Sequence, residues 1–86
     1  MKYLHWDFNT TGTAVVEVEL DRGANVLLLD SPNYARYRRG SDYKYRGGLA
    51  EVSPCHVTIP HAGVWHVIVD LGGYSGRVTA SAALLS

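Results

Sequence analysis

The chain has one cysteine, Cys55, among 86 residues. That excludes an internal disulfide framework and suits a reducing compartment, so a cytoplasmic setting is the expectation. Long hydrophobic runs are missing too. The most apolar stretches, Val26-Leu27-Leu28-Leu29 and Val67-Ile68-Val69, fall far short of the ~20 residues a helix needs to cross a bilayer, and no membrane contact is expected. The opening Met1-Lys2-Tyr3-Leu4-His5-Trp6-Asp7 reaches polar residues at once and does not read as a secretory signal. Nor is there an excess of one charge: eight basic side chains balance eight acidic ones. Long-range steering by net charge is therefore excluded, and any electrostatic role must come from local clustering.

What is present is alternation. Leu4, Trp6 and Phe8 share one parity while Tyr3, His5 and Asp7 share the other, the period of two of a half-buried strand over Lys2 to Asn9. Val16, Val18 and Leu20 alternate with Glu17, Glu19 and Asp21, which predicts a strand with a carboxylate row in water. Val26 to Asp30 is apolar on both parities and reads as a strand covered on both faces, and Val64 to Leu71, the most apolar strand and rich in valine, is placed mid-sheet. Further strands are expected over Asp42 to Arg46, Leu49 to Val52, Cys55 to Ile59 and Arg77 to Leu85, with Gly47-Gly48 as a break and Gly73-Tyr74-Ser75-Gly76 as a hairpin turn. Asp30-Ser31-Pro32 carries the cap and proline chemistry of a helix start, so one short helical turn is predicted near residues 32–38, stopped by Gly40. Strands at this spacing, divided by glycine and proline, predict an all-β fold: one domain over residues 1–86, a small antiparallel β-sandwich, jelly-roll-like or barrel-like. A chain of this size removes roughly 60 to 65% of its extended surface from water, so one core is expected and association with a copy of itself would not surprise.

Several segments taken together resemble a known family: Asp30-Ser31-Pro32-Asn33-Tyr34, Tyr37 with Gly40, Tyr43-Lys44-Tyr45-Arg46-Gly47-Gly48, Pro60-His61-Ala62-Gly63-Val64-Trp65-His66-Val67, and Asp70-Leu71-Gly72-Gly73-Tyr74-Ser75-Gly76. The chain is similar over its whole length to the bacterial domain-of-unknown-function family numbered 1883. The resemblance implies a small β-sandwich-like domain, found alone or joined to a TIR signalling domain. It implies no catalytic or binding residues, and none is carried over.

The local charge anomaly lies between Tyr34 and Arg46. Arg36, Arg38, Arg39, Lys44 and Arg46 face only Asp42, a local charge of plus four against minus four for the rest of the chain. Four tyrosines are interleaved with these cations. Arginine beside flat aromatic surface is how proteins hold phosphate while stacking a base or sugar. The candidate ligand-binding set is thus Tyr34, Tyr37, Arg38, Arg39, Tyr43, Lys44, Tyr45 and Arg46, with an anionic small molecule, a glycan or a nucleic acid as partner. The plainer alternative is that the tyrosines pack as amphipathic edges with solvated arginines over them.

The histidines do not point to a metal. His61 and His66 are five apart, and His66 and Asp70 on one strand would stand about 13 Å apart at ~3.3 Å per residue. His5, His56 and His66 could still meet in three dimensions from different strands. Cys55 and His56, as strand neighbours, face opposite ways, so no thiolate–imidazole pair is expected and Cys55 reads as a small core residue. Trp6 and Trp65 read as core anchors. No catalytic residue, no metal and no cofactor are expected. Three functions remain: a recognition or sensor module for an anionic partner, a structural module forming a homo-oligomer, and, with least support, a small enzyme.

Overall fold

The computed structural model describes residues 3–73 and 76–85. Seven strands and one helix follow in the order β1 (Tyr3–Thr10), β2 (Ala14–Leu20), β3 (Ala24–Asp30), α1 (Ser31–Arg39), β4 (Arg46–Ala50), β5 (Cys55–Ile59), β6 (Gly63–Asp70) and β7 (Ala80–Leu85). They form two antiparallel sheets, one with strand order β1-β6-β3-β4 and one with order β5-β2-β7. Every link except β3-α1-β4 crosses from one sheet to the other, the alternation of a jelly-roll-like sandwich. The expected all-β sandwich with one short helix is what the chain forms.

Period-two alternation decides which side chains meet between the sheets. Val16 and Val18 of β2, Val57 and Ile59 of β5, Val26 and Leu28 of β3, and Trp65, Val67 and Val69 of β6 make the buried core, with Leu4, Trp6 and Phe8 of β1 packed against it. Glu17 and Glu19 fall on the opposite parity and stay outside it. The double-sided apolar character of β3 and β6 has a matching cause. Their other faces, through Leu27, Leu29 and Ile68, form a second cluster with Tyr37 of α1, and Tyr3, Tyr34 and Tyr43 pack around it. Helix α1 therefore lies on the outer face of the four-stranded sheet, which makes that sheet the one buried on both sides.

The helix begins where the sequence predicts. Asp30 stays extended and its carboxylate accepts a hydrogen bond from the backbone N–H of Asn33 at 3.0 Å, with proline in the first turn. It ends at Gly40, whose φ of +74° lets its N–H reach the carbonyl of Tyr37 while Ser41 N–H reaches that of Arg36.

Three expectations are corrected. Gly47-Gly48 does not break a strand: β4 runs through both glycines, with φ of +100° and +146°. A Cβ at Gly47 would overlap the carbonyl oxygen of Val26, so glycine here permits close approach of β4 to β3. Residues 41–45 are not a strand, since β4 starts only at Arg46. The link containing Gly73-Tyr74-Ser75-Gly76, of which Tyr74 and Ser75 lie outside the described residues, is no hairpin, because β6 and β7 belong to different sheets. Among the described residues no helix is long and apolar enough to cross a membrane.

Candidate functional site

The outer face of the four-stranded sheet brings together tyrosines, histidines and carboxylates from β1, β6 and α1. Alternation puts Tyr3, His5 and Asp7 of β1 there, with His66, Ile68 and Asp70 of β6 beside them, because Tyr3 pairs with Asp70, His5 with Ile68 and Asp7 with His66. Across β6, Asn25 of β3 also pairs with Asp70. Helix α1 covers the apolar middle of this face and leaves a polar group at each end.

At one end Asp70 is buried, yet its carboxylate is hydrogen-bonded on both oxygens. Oδ1 accepts from Asn25 Nδ2 at 3.0 Å and from the backbone N–H of Gly72 at 2.9 Å, and Oδ2 accepts from the Tyr37 hydroxyl at 2.6 Å. Burial pushes the Tyr37 hydroxyl well above the ordinary tyrosine value, and the hydrogen bond and charge of Asp70 push it the same way. Tyr43 is raised by burial and then by Asp70. Beside Asp70 opens a shallow cavity of about 270 Å³, lined by the rings of Tyr43 and Tyr45 with Asn25, Leu27, Gly48 and Leu49.

At the other end two imidazoles meet from adjacent strands. His5 Nε2 and His66 Nδ1 are 2.9 Å apart. The second nitrogen of His66 lies 3.0 Å from Ser31 Oγ, and the second nitrogen of His5 lies 3.3 Å from the Tyr34 hydroxyl, which is itself 3.2 Å from that of Tyr3. The Tyr34 ring stacks on both imidazoles with centroids 4.4 Å away. Burial, and then the neighbouring His5, hold the buried His66 below the usual histidine range, against the opposing pull of Asp7 and Asp30. Burial and the hydrogen bond with Tyr3 raise Tyr34. His56 does not join this group; it sits on the other sheet, 3.2 Å from Glu17.

The sequence-derived set divides sharply. Tyr37 is only 6% exposed, its ring built into the apolar cluster beneath the helix. Tyr34 and Tyr43 are half-buried, both turned toward the sheet, and Tyr37 and Tyr43 meet edge to face at 5.2 Å. Tyr45, at 51% exposed, is the one tyrosine of the four that presents a broad surface. Arg38, Arg39, Lys44 and Arg46 are all exposed, as is Arg36, and the Arg38 guanidinium lies 5.8 Å from the centroid of the Tyr34 ring. Among the described residues the one close contact of a basic side chain with a carboxylate is that of His56 with Glu17, and none of these five cations is matched to a carboxylate. The His5–His66 contact was not legible in the sequence, since it needs the pairing of strands 61 residues apart. Of the three histidines that could meet from different strands, His5 and His66 do, and His56 does not.

A family model described as "Domain of unknown function (DUF1883)" matches residues 1–86, and the chain belongs to that family. No curated protein and no solved structure matches the chain.

Proposed function

We propose that this member of the DUF1883 family is a recognition module, not an enzyme, and that it holds an anionic partner through the exposed cations Arg36, Arg38, Arg39, Lys44 and Arg46. The observation that carries this reading is that the five cations are exposed and unmatched by carboxylates among the described residues of a chain with no net charge. Arg36, Arg38 and Arg39 stand in the last turn of α1, where they complement the helix dipole. That accounts for three of the five; Lys44 and Arg46 lie outside the helix and have no such role.

Because Tyr37 is buried and Tyr34 and Tyr43 turn inward, charge rather than stacking dominates this recognition, with Tyr45 the one flat ring at hand. The cavity lined in part by Asp70 carries a carboxylate and disfavours an anion, so the exposed cations take the partner. The test is fluorescence anisotropy with a labelled single-stranded oligonucleotide over a series of salt concentrations, with heparin as competitor. Five phosphate contacts on a single strand give a log–log salt slope of about −3.5, and Arg38→Ala with Arg39→Ala reduces its magnitude by about 1.4. Absence of binding to either polyanion at low salt, or a flat salt response, rejects the reading.

One observation favours a second reading, a homo-oligomeric assembly module. Strand β4 is a sheet edge bearing Leu49, 68% exposed, and Val52 just beyond it is 75% exposed, an apolar edge of the kind that pairs with another chain. Light scattering at tens of micromolar, compared with Leu49→Lys, decides it. A strict monomer in both forms counts against assembly.

A further inference from the structure

We propose that His5, Asp7 and His66 form a binding site for one divalent transition-metal ion, with Zn²⁺ as its reference ion. One ligand atom from each of the three residues can be chosen so that all lie within 4.8 Å of one another. The arrangement follows from the strand register: His5 and Asp7 are two residues apart on one face of β1, and Asp7 stands directly opposite His66 of β6. Two imidazoles and a carboxylate are the donors that borderline divalent ions such as Zn²⁺ prefer, and they do not suit Ca²⁺ or Mg²⁺, which take oxygen.

The donors stand just inside the spacing an ion needs. Two nitrogens each ~2.1 Å from a tetrahedral ion stand ~3.4 Å apart; His5 Nε2 and His66 Nδ1 are 2.9 Å apart. Binding therefore parts the two rings by about half an ångström. Asp7 is exposed and free of side-chain hydrogen bonds among the described residues, so its carboxylate can swing in from its strand position.

The surroundings of the two rings carry the inference further. Metal-bound histidine characteristically uses its other ring nitrogen to hold an orienting partner. Both rings here have one: Ser31 Oγ at 3.0 Å from His66 Nε2, and the Tyr34 hydroxyl at 3.3 Å from His5 Nδ1. When each ring keeps its proton on the outer nitrogen, both facing nitrogens are unprotonated, and a small in-plane swing of the rings turns their lone pairs toward one ion. Without an ion, one ring must instead place its proton between them as an N–H···N bond. The ion takes the place of that bridging proton, which moves through solvent to the outer nitrogen. Stacking of Tyr34 on both imidazoles fixes their planes for this. Ligands from β1 and β6, with orienting groups from α1, would tie the first strand and the helix to the centre of the sheet.

The test starts from protein stripped with a chelator and titrated with ZnCl₂ by calorimetry, with CoCl₂ in parallel for its visible absorption. One Zn²⁺ per chain is expected, with Co²⁺ bands that Zn²⁺ abolishes. His5→Ala and Asp7→Asn, both at exposed positions and checked for fold by circular dichroism, each weaken binding by tenfold or more. Ser31→Ala, which removes an orienting partner, weakens it about tenfold. His56→Ala and His61→Ala leave it unchanged. Failure of the wild type to bind Zn²⁺ at millimolar concentration overturns the proposal. So does binding by His5→Ala or by Asp7→Asn that matches the wild type, or loss of binding in His56→Ala.

Discussion

The hydroxyl of Tyr37 lies 2.6 Å from Oδ2 of the buried Asp70 and joins the last turn of α1 to the end of β6. Both groups are out of water, so the bond is made in a medium where losing it is costly. Tyr37→Phe keeps the ring and removes one donor to a charged acceptor, and a loss of about 1.5 to 3 kcal/mol in chemical denaturation is expected. The pH dependence has a definite sign. The folded-state value of Tyr37 is raised above its ordinary value of 10.0, so its contribution is fully present below that pH and is lost as pH rises toward the folded value. The stability gap between wild type and Tyr37→Phe is therefore constant at neutral pH and narrows above about pH 10. A gap that widens in alkali would contradict this assignment.

Gly47 and Gly48 separate two effects that glycine can have. A Cβ at Gly47 overlaps the Val26 carbonyl oxygen, whereas one at Gly48 meets nothing within 4 Å, although both residues have positive φ. Gly47→Ala combines backbone strain with a clash against the neighbouring strand and is expected to cost about 2 to 4 kcal/mol, while Gly48→Ala carries only strain of about 1 to 3 kcal/mol. Gly12→Ala, in open space without positive φ, stays within about 0.5 kcal/mol. Thermal melts of the three variants check the order.

Asp30 acts beyond its own helix. Its Oδ1 accepts from both the backbone N–H and the side-chain Nδ2 of Asn33, and Asn33 Oδ1 in turn accepts from the backbone N–H of Lys44 at 2.8 Å. The cap thereby orients the segment that carries Lys44 and Tyr45. Asp30→Ala is expected to cost about 1 kcal/mol, which for a domain of this size lowers Tm by about 4 to 8 °C. Hydrogen exchange at the Lys44 amide should speed up as well. A cap confined to the helix would leave that amide protected.

These relationships show what a linear sequence can and cannot reveal. Alternation within β1 and β2 placed Trp6 and Phe8 inward and Glu17 outward, because side-chain direction in a strand depends only on parity. The Asp30 cap and the Gly40 stop were equally legible, being chemistry within a few residues. Depth was not. Tyr37 sits among arginines in the sequence and reads as surface, yet the double-sided apolar strands β3 and β6 need a cover, and Tyr37 is part of it. The His5–His66 pair and the embrace of Asp70 by Tyr37 and Asn25 depend on strand order, which period-two patterning does not encode. Gly47-Gly48 misled for the same reason: glycine signals a turn locally, and only the proximity of Val26 explains its place within a strand.

Cys55 offers a last check on the core. It stands opposite Val18 in the pairing of β5 with β2 and packs, partly buried, against the apolar cluster between the sheets. Burial pushes its thiol above the ordinary value, so the nucleophilic thiolate is scarcer at any given pH and less accessible once formed. Reaction with a disulfide reagent at pH 8 should be several-fold slower than that of a small free thiol, and should rise to the free rate in denaturant. Native-state labelling as fast as in denaturant would place Cys55 outside the sandwich interior, and with it the inward parity of β5.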